Sequence, residues 1–177
     1  MSVVWQAHDV VLRRDVAVKV LATELGIPRY AMRAEALAAS RISHPHVASV
    51  YDYGETPQGS AEPMPFLVME LLRGHSLNEH LADGPMSARS AFRTTAEVAS
   101  ALAAAHAAQV VHRDVKPSNV MLTPIGSKVI DFGIAAPVGT VDGLAQANRV
   151  LGTPAYLAPE RVLRDVVDSA SDALPLS

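Results

Sequence analysis

The sequence predicts an α+β fold made of two unlike parts: a small antiparallel sheet with one helix, then a partial, mainly helical region. Short β-branched runs separated by turn residues are typical of strands, and they occur at residues 3–7, 15–21, 47–53 and 66–71. An alanine- and leucine-rich stretch without a helix breaker, residues 30–42, indicates the single helix. We therefore assign residues 1–72 to the part that contains the sheet.

The second part, residues 73–177, begins with helical patterns. Ser76 and Ser87 are typical N-cap residues, and they precede a short helical stretch to residue 81 and a long alanine-rich one to residue 109. Between residues 110 and 134, short apolar runs are interrupted by polar residues that core packing does not explain. Residues 135–151 are rich in glycine and small side chains and predict a long functional loop.

Composition excludes several classes of function. The chain of 177 residues is 49% hydrophobic, enough for a core, and its formal charge of −3 leaves no basic excess for nucleic acid or an anionic membrane. It has no cysteine, which excludes disulfides and Cys-ligated zinc and leads us to expect a cytoplasmic protein. No apolar run approaches the roughly 18 residues of a membrane span. The histidines show no paired metal spacing, so we expect no zinc.

The strongest chemical signal is the run HRDVKPSN at residues 112–119, followed by DFG at residues 131–133. A carboxylate can orient a hydroxyl group and accept its proton, and carboxylate and amide oxygens are ligands that Mg²⁺ accepts. A single Asp-Phe-Gly is also a common turn sequence, but two motifs in this order and at this spacing favour a catalytic role over an ordinary turn. Together they resemble the catalytic loop and the metal-binding loop of protein kinases.

This resemblance implies a role for each polar residue. Asp114 would orient the substrate hydroxyl, Lys116 would lie beside the transferred phosphate, and the Mg²⁺ (or Mn²⁺) ligands would be Asn119 and Asp131. The run VAVK at residues 16–19 resembles the strand whose lysine grips the phosphates of ATP, which assigns that role to Lys19 and makes Glu35 its ionic partner. The alternative is a surface lysine on an edge strand and a solvated glutamate on a helix.

The run FLVMELL at residues 66–72 resembles the last small-lobe strand and the hinge of a kinase. Met69 would be the gatekeeper, and backbone groups of Glu70 and Leu72 would meet the adenine of ATP. The residues that would close the adenine slot by the same resemblance are Val4, Ala17 and Met121. Ordinary core packing is an equally compatible interpretation of these apolar residues.

Residues 152–160, GTPAYLAPE, resemble the segment that docks the protein substrate and ends the activation loop. Lys116 and Thr153 together resemble the serine/threonine subgroup, in which Thr153 would brace Asp114, while Glu160 would close the segment. Thr140 is the only hydroxyl residue between Gly133 and Gly152, so we expect it to be the phosphorylated residue of the loop.

The resemblance extends from residue 3 to about residue 172 and implies a bilobal fold of the bacterial, actinobacterial-like serine/threonine protein kinase type, truncated at both ends. The glycine-rich phosphate loop is mostly missing, with Ser2 at the position of its last glycine. Ser171 and Asp172 resemble the opening of the central C-lobe helix, but the residues that would continue this helix do not follow. We therefore expect the apolar faces that this helix would cover, around Val110, to be exposed.

Two functions follow. The first is transfer of the ATP γ-phosphate to serine or threonine hydroxyls of protein substrates, with autophosphorylation or self-association. The alternative is a catalytically impaired remnant that acts as a nucleotide-binding or interaction module.

Overall fold

The computed structural model describes residues 3–20, 29–56, 63–132 and 169–172. Its first sheet is antiparallel with the strand order β1-β2-β4-β3, formed by β1 Val3–Asp9, β2 Arg14–Val20, β3 Val50–Glu55 and β4 Pro65–Glu70. The predicted β1-β2 hairpin is confirmed. Asp9 stabilises its turn because the carboxylate accepts hydrogen bonds from the N–H groups of Val11 and Leu12, each at 3.0 Å.

Helix α1, Arg29–Ala39, contacts β3 and β4. Its buried side chains include Met32 and Ala36, which are four residues apart and therefore share one face. The helix ends earlier than the predicted residue 42. The N–H of Ile42 donates to the carbonyl of Ala39 at 3.1 Å in a tighter turn, and the Ile42 side chain joins the core of the second part.

Strand β3 begins at Val50, later than the predicted residue 47. Val47 instead forms a parallel bridge with Val129 and is only 2% exposed. Burial against the second part therefore overrides the strand propensity of this residue, and residues 46–49 form a junction between the two parts.

The second part contains helices α2, Leu77–Ala82, and α3, Ala88–Ala107. Both predicted N-caps are confirmed: Ser76 forms a capping box with Glu79, and the Ser87 side chain accepts a hydrogen bond from the N–H of Ser90. A second antiparallel sheet with the order β5-β6-β7 follows, formed by β5 His75–Ser76, β6 Val120–Thr123 and β7 Gly126–Val129.

The core of the second part lies between α3 and the β6-β7 hairpin and comprises Ile42, Val47, Val98, Ala101, Leu102, Ala105, Val110, Val115, Val120 and Val129. The expectation of exposed apolar faces around Val110 is wrong. Val110 is 2% exposed and Val111 fully buried, because the small side chains of α3 let the chain pack closely after the helix.

The α+β fold class predicted from the sequence is confirmed: a sheet with one helix is followed by a part whose described residues form two helices and a small sheet. Among the described ranges, no helix combines the length and apolar character needed to span a bilayer. The outer strand β1 leaves large apolar side chains accessible, with Val4 58% and Trp5 62% exposed.

Candidate active site

The loop that connects α3 to β6 brings three of the predicted site residues together. The Asp114 carboxylate lies 2.6 Å from the Lys116 ammonium group, measured from Oδ2 to Nζ. Asn119 Nδ2 donates to the same Asp114 oxygen at 3.1 Å and to the Asp114 carbonyl at 2.8 Å. Two side chains on one loop therefore fix the orientation of Asp114, whose side chain keeps 27% exposure and can be reached by a substrate.

His112 joins this loop to the predicted metal-binding loop. Its Nδ1 accepts the N–H of Asp114 at 3.2 Å, and its Nε2 is 3.0 Å from the carbonyl of Ile130. Since a carbonyl only accepts, Nε2 carries the proton and the ring is the neutral tautomer. Burial lowers the pKa of His112 below its usual value, with opposition from the nearby Asp172, so the neutral form persists. The ring also packs against Phe132, with centroids 4.8 Å apart.

Asp172 holds the start of the same loop. It lies in a 3₁₀ turn, Ser169–Asp172, and its two carboxylate oxygens accept the backbone N–H groups of His112 and Arg113, both at 2.7 Å. Arg113 has a φ of 68°, a left-handed conformation that turns successive N–H groups towards one anion. His106 Nε2 donates to Asp172 as well, at 2.8 Å. With 1% exposure, Asp172 is a buried charge that these donors satisfy.

Sequence reasoning missed the role of Asp172. The sequence predicts for this residue only the opening of a helix, because no local pattern indicates a partner 59 or 60 positions away in the chain. The type of residue was the only available signal, since a carboxylate is the side chain that can accept from several backbone N–H groups.

Lys19 connects the first sheet to the predicted metal-binding loop. It lies on β2, and its Nζ is 2.6 Å from Asp131 Oδ1, with the two side chains 16% and 32% exposed. Glu35, its predicted partner, lies in α1, but its side chain is outside the described part of the chain. The structure thus brings Lys19 to Asp131, and the pairing with Glu35 stays a prediction.

The predicted metal ligands offer a suitable donor set. Asn119 uses its amide nitrogen on Asp114, so its oxygen is the atom that remains for a cation, and Asp131 contributes a carboxylate. Mg²⁺ commonly takes one or two such protein oxygens together with the phosphates of its nucleotide. Within the described residues there is no group of three or more His, Cys, Asp or Glu side chains that could hold a metal by itself. This composition fits a cation that is shared with phosphates.

The residues predicted around adenine come from both parts of the molecule, and most of them lie on adjacent strands of the first sheet. Ala17 on β2 is paired with Met69 on β4, and Val4 on β1 is paired with Lys19. Leu72 follows β4, and Met121 lies on β6 of the second part, both half-buried. The remaining predicted residues, Thr140, Thr153 and Glu160, lie outside the described residues.

Comparison with known proteins gives the family. The sequence model of the protein kinase domain matches residues 1–176. The chain is 43% identical to serine/threonine-protein kinase PknA of Mycobacterium tuberculosis, covering 99% of this chain and 42% of that protein. It is 41% identical to serine/threonine-protein kinase PknB of Mycobacterium leprae, with 99% and 29% covered. The chain thus spans less than half the length of these relatives, and it belongs to the protein kinase domain family.

Proposed function

We propose that this chain is a serine/threonine protein kinase, which transfers the γ-phosphate of ATP to hydroxyl groups of protein substrates. The observation that carries this proposal is the environment of Asp114, a solvent-accessible carboxylate whose Oδ2 contacts both Lys116 and Asn119. A fixed carboxylate can position a hydroxyl group, and a neighbouring positive charge can stabilise the transferred phosphoryl group, so this arrangement suits phosphoryl transfer to a hydroxyl. The names of the mycobacterial relatives support the same reaction.

In this proposal each side chain has one task. Asp114 orients the hydroxyl group and accepts its proton, while Lys116, 2.6 Å away, brings positive charge to the place where the phosphoryl group passes. Lys19 binds the non-transferred phosphates. Asn119 and Asp131 would hold Mg²⁺ or Mn²⁺, which neutralises phosphate charge when bound.

The regulatory part of the proposal concerns residues beyond those described. We propose that Thr140 is an autophosphorylation site, because it is the only hydroxyl residue between Gly133 and Gly152. Thr153 and Glu160 would belong to the segment that receives the protein substrate. Because the reaction consumes ATP, we propose that the chain acts in the cytoplasm.

The test is phosphate incorporation from labelled ATP into the chain and into a generic basic protein, with Mg²⁺ present. We expect Asp114→Asn and Lys19→Met each to reduce incorporation at least about 100-fold, because positioning and charge stabilisation supply most of the catalysis. Circular dichroism of both variants serves as the control for folding. Folded, unsubstituted chain that incorporates no phosphate would contradict the proposal and favour the non-catalytic alternative.

A further inference from the structure

We propose that Lys128 is a positioning residue for nucleotide binding, which acts through an ion pair with Glu70 to hold the hinge in place. This inference rests on the proposed kinase function, since it assigns the base end of the nucleotide to the hinge. Neither residue belongs to the phosphate or metal groups described above. Lys128 lies on β7 and Glu70 ends β4, so the pair joins the two parts of the molecule.

The contact is short and shielded from water. Lys128 Nζ lies 2.9 Å from Glu70 Oε2, and the lysine and glutamate side chains are 8% and 24% exposed. The same ammonium group donates to the carbonyl of Val47 at 3.4 Å. A lysine is seldom buried to this degree unless a carboxylate compensates its lost hydration, so the position of each partner depends on the other.

Glu70 is also tied to the junction before β3. Its Oε2 accepts the N–H of Ser49 at 3.2 Å, and its own N–H donates to the carbonyl of Ser49 at 2.9 Å. The carboxylate therefore bridges Lys128 and Ser49. Because the Glu70 N–H is directed to Ser49, the backbone group through which Glu70 could meet adenine is its carbonyl.

Strand β7 is fixed to the same junction. The N–H of Val129 donates to the carbonyl of His46 at 2.8 Å, and the N–H of Ala48 donates to the carbonyl of Val129 at 2.9 Å. Lys128 lies on β7, which ends at Val129, and it precedes Asp131 in the sequence by three positions. The ion pair consequently connects the hinge carbonyl to the strand that leads into the metal-binding loop, and it sets the distance between the base end and the phosphate end of the nucleotide.

This role predicts a specific kinetic change. In Lys128→Met the hinge carbonyl loses its fixed position, so we expect KM for ATP to rise roughly 10-fold while kcat stays within about 2-fold. Adenine presents an amino donor where guanine presents a carbonyl acceptor. The ratio of kcat/KM for ATP to that for GTP should therefore fall as well, which loss of stability alone would not cause.

The experiment is a double-mutant cycle on the full chain with Lys128→Met, Glu70→Gln and the double variant. If the two residues act through their contact, the double variant shows about the same KM as either single variant instead of the product of their effects. The double variant also removes the unpaired buried charge, so it keeps the test valid if Lys128→Met alone is unstable.

The matched control is Glu97→Gln. Glu97 accepts the N–H of Ser127, the neighbour of Lys128, at 2.7 Å and pairs with Arg93, away from the hinge. The inference would be overturned if KM for ATP rose equally in Glu97→Gln, or if KM were unchanged in folded Lys128→Met. It would also be overturned if the effects of the two single variants on KM multiplied in the double variant. Failure of the unsubstituted chain to bind ADP or to turn over ATP would overturn the proposed function and the inference with it.

Discussion

The loop around Asp114 and the side chain of Lys19 both belong to the candidate site, but the protein holds them in different ways. The loop around Asp114 is fixed by hydrogen bonds to the buried Asp172 and His112. Lys19 instead reaches the second part through an ion pair with Asp131, in which both partners keep contact with water. Buried polar bonds with satisfied partners specify one geometry, whereas a partly hydrated ion pair can be exchanged for another ligand at little cost. The difference is between a permanent frame, formed by Asp172 and His112, and a contact that a ligand can replace.

The largest expected loss of stability is at Asp172, in the permanent frame. Asp172→Ala leaves two buried backbone N–H groups and His106 without their acceptor, so we expect the free energy of unfolding to fall by about 3 kcal/mol. Urea denaturation would measure this change. Asp172→Asn should give an intermediate loss because one carbonyl oxygen replaces two. The control is Asp83→Ala, at an exposed position after α2; a loss as large as in Asp172→Ala would contradict the distinction.

A smaller effect is expected at His112. His112→Phe keeps most of the volume but removes the bonds to Asp114 and Ile130, so the free energy of unfolding should fall by about 2 kcal/mol at pH 7.5. The Tm of both proteins, measured between pH 7.5 and 5, would also report the titration.

The direction in which stability changes with pH follows from the pKa of His112. Burial keeps the pKa of His112 in the folded protein below the unfolded value of 6.5. The unfolded chain then binds the proton first, so stability is fully present above pH 6.5 and decreases as the pH falls towards the folded pKa. His112→Phe removes this contribution and should flatten the curve. An equally steep loss of stability in the variant would assign the titration to another group.

The smallest expected change in stability is at Lys19. Lys19→Met removes a partly hydrated ion pair, so the free energy of unfolding should change by less than about 1 kcal/mol, although the proposed function requires phosphate transfer to be lost. Thermal denaturation without nucleotide is the measurement. Destabilisation comparable with that of Asp172→Ala would show that both contacts belong to one rigid frame.

Much of the fold was predictable because local signals agree with the tertiary structure. Ser76 and Ser87 predict helix starts through their own hydrogen bonds, and the β1-β2 hairpin follows from alternation around a polar turn. The predicted element boundaries were wrong where contacts between distant residues determine the structure. Ile42 and Val47 leave their predicted elements to join the core of the second part.

In the candidate site too, contacts within one loop could be predicted from the sequence, whereas contacts between distant segments could not. The grouping of Asp114, Lys116 and Asn119 could be predicted because one short loop carries all three. The ion pair of Lys19 with Asp131 and the burial of Val110 depend on how separate segments pack, and sequence patterns carry no information on that packing. Likewise, nothing local distinguishes Lys128 from a surface lysine.

The hydrogen bonds from the backbone of His112 and Arg113 to Asp172 also affect when this loop can fold during synthesis of the chain. They close a segment of 59 to 60 residues, and closing such a long loop has an entropic cost that nearby contacts do not have. The helix α3 and the β6-β7 hairpin consist of local contacts and can form as soon as their own residues leave the ribosome. The backbone of His112 and Arg113 obtains its acceptor only after Asp172 has emerged. The loop around Asp114 is therefore among the last parts of the described chain to reach its final geometry.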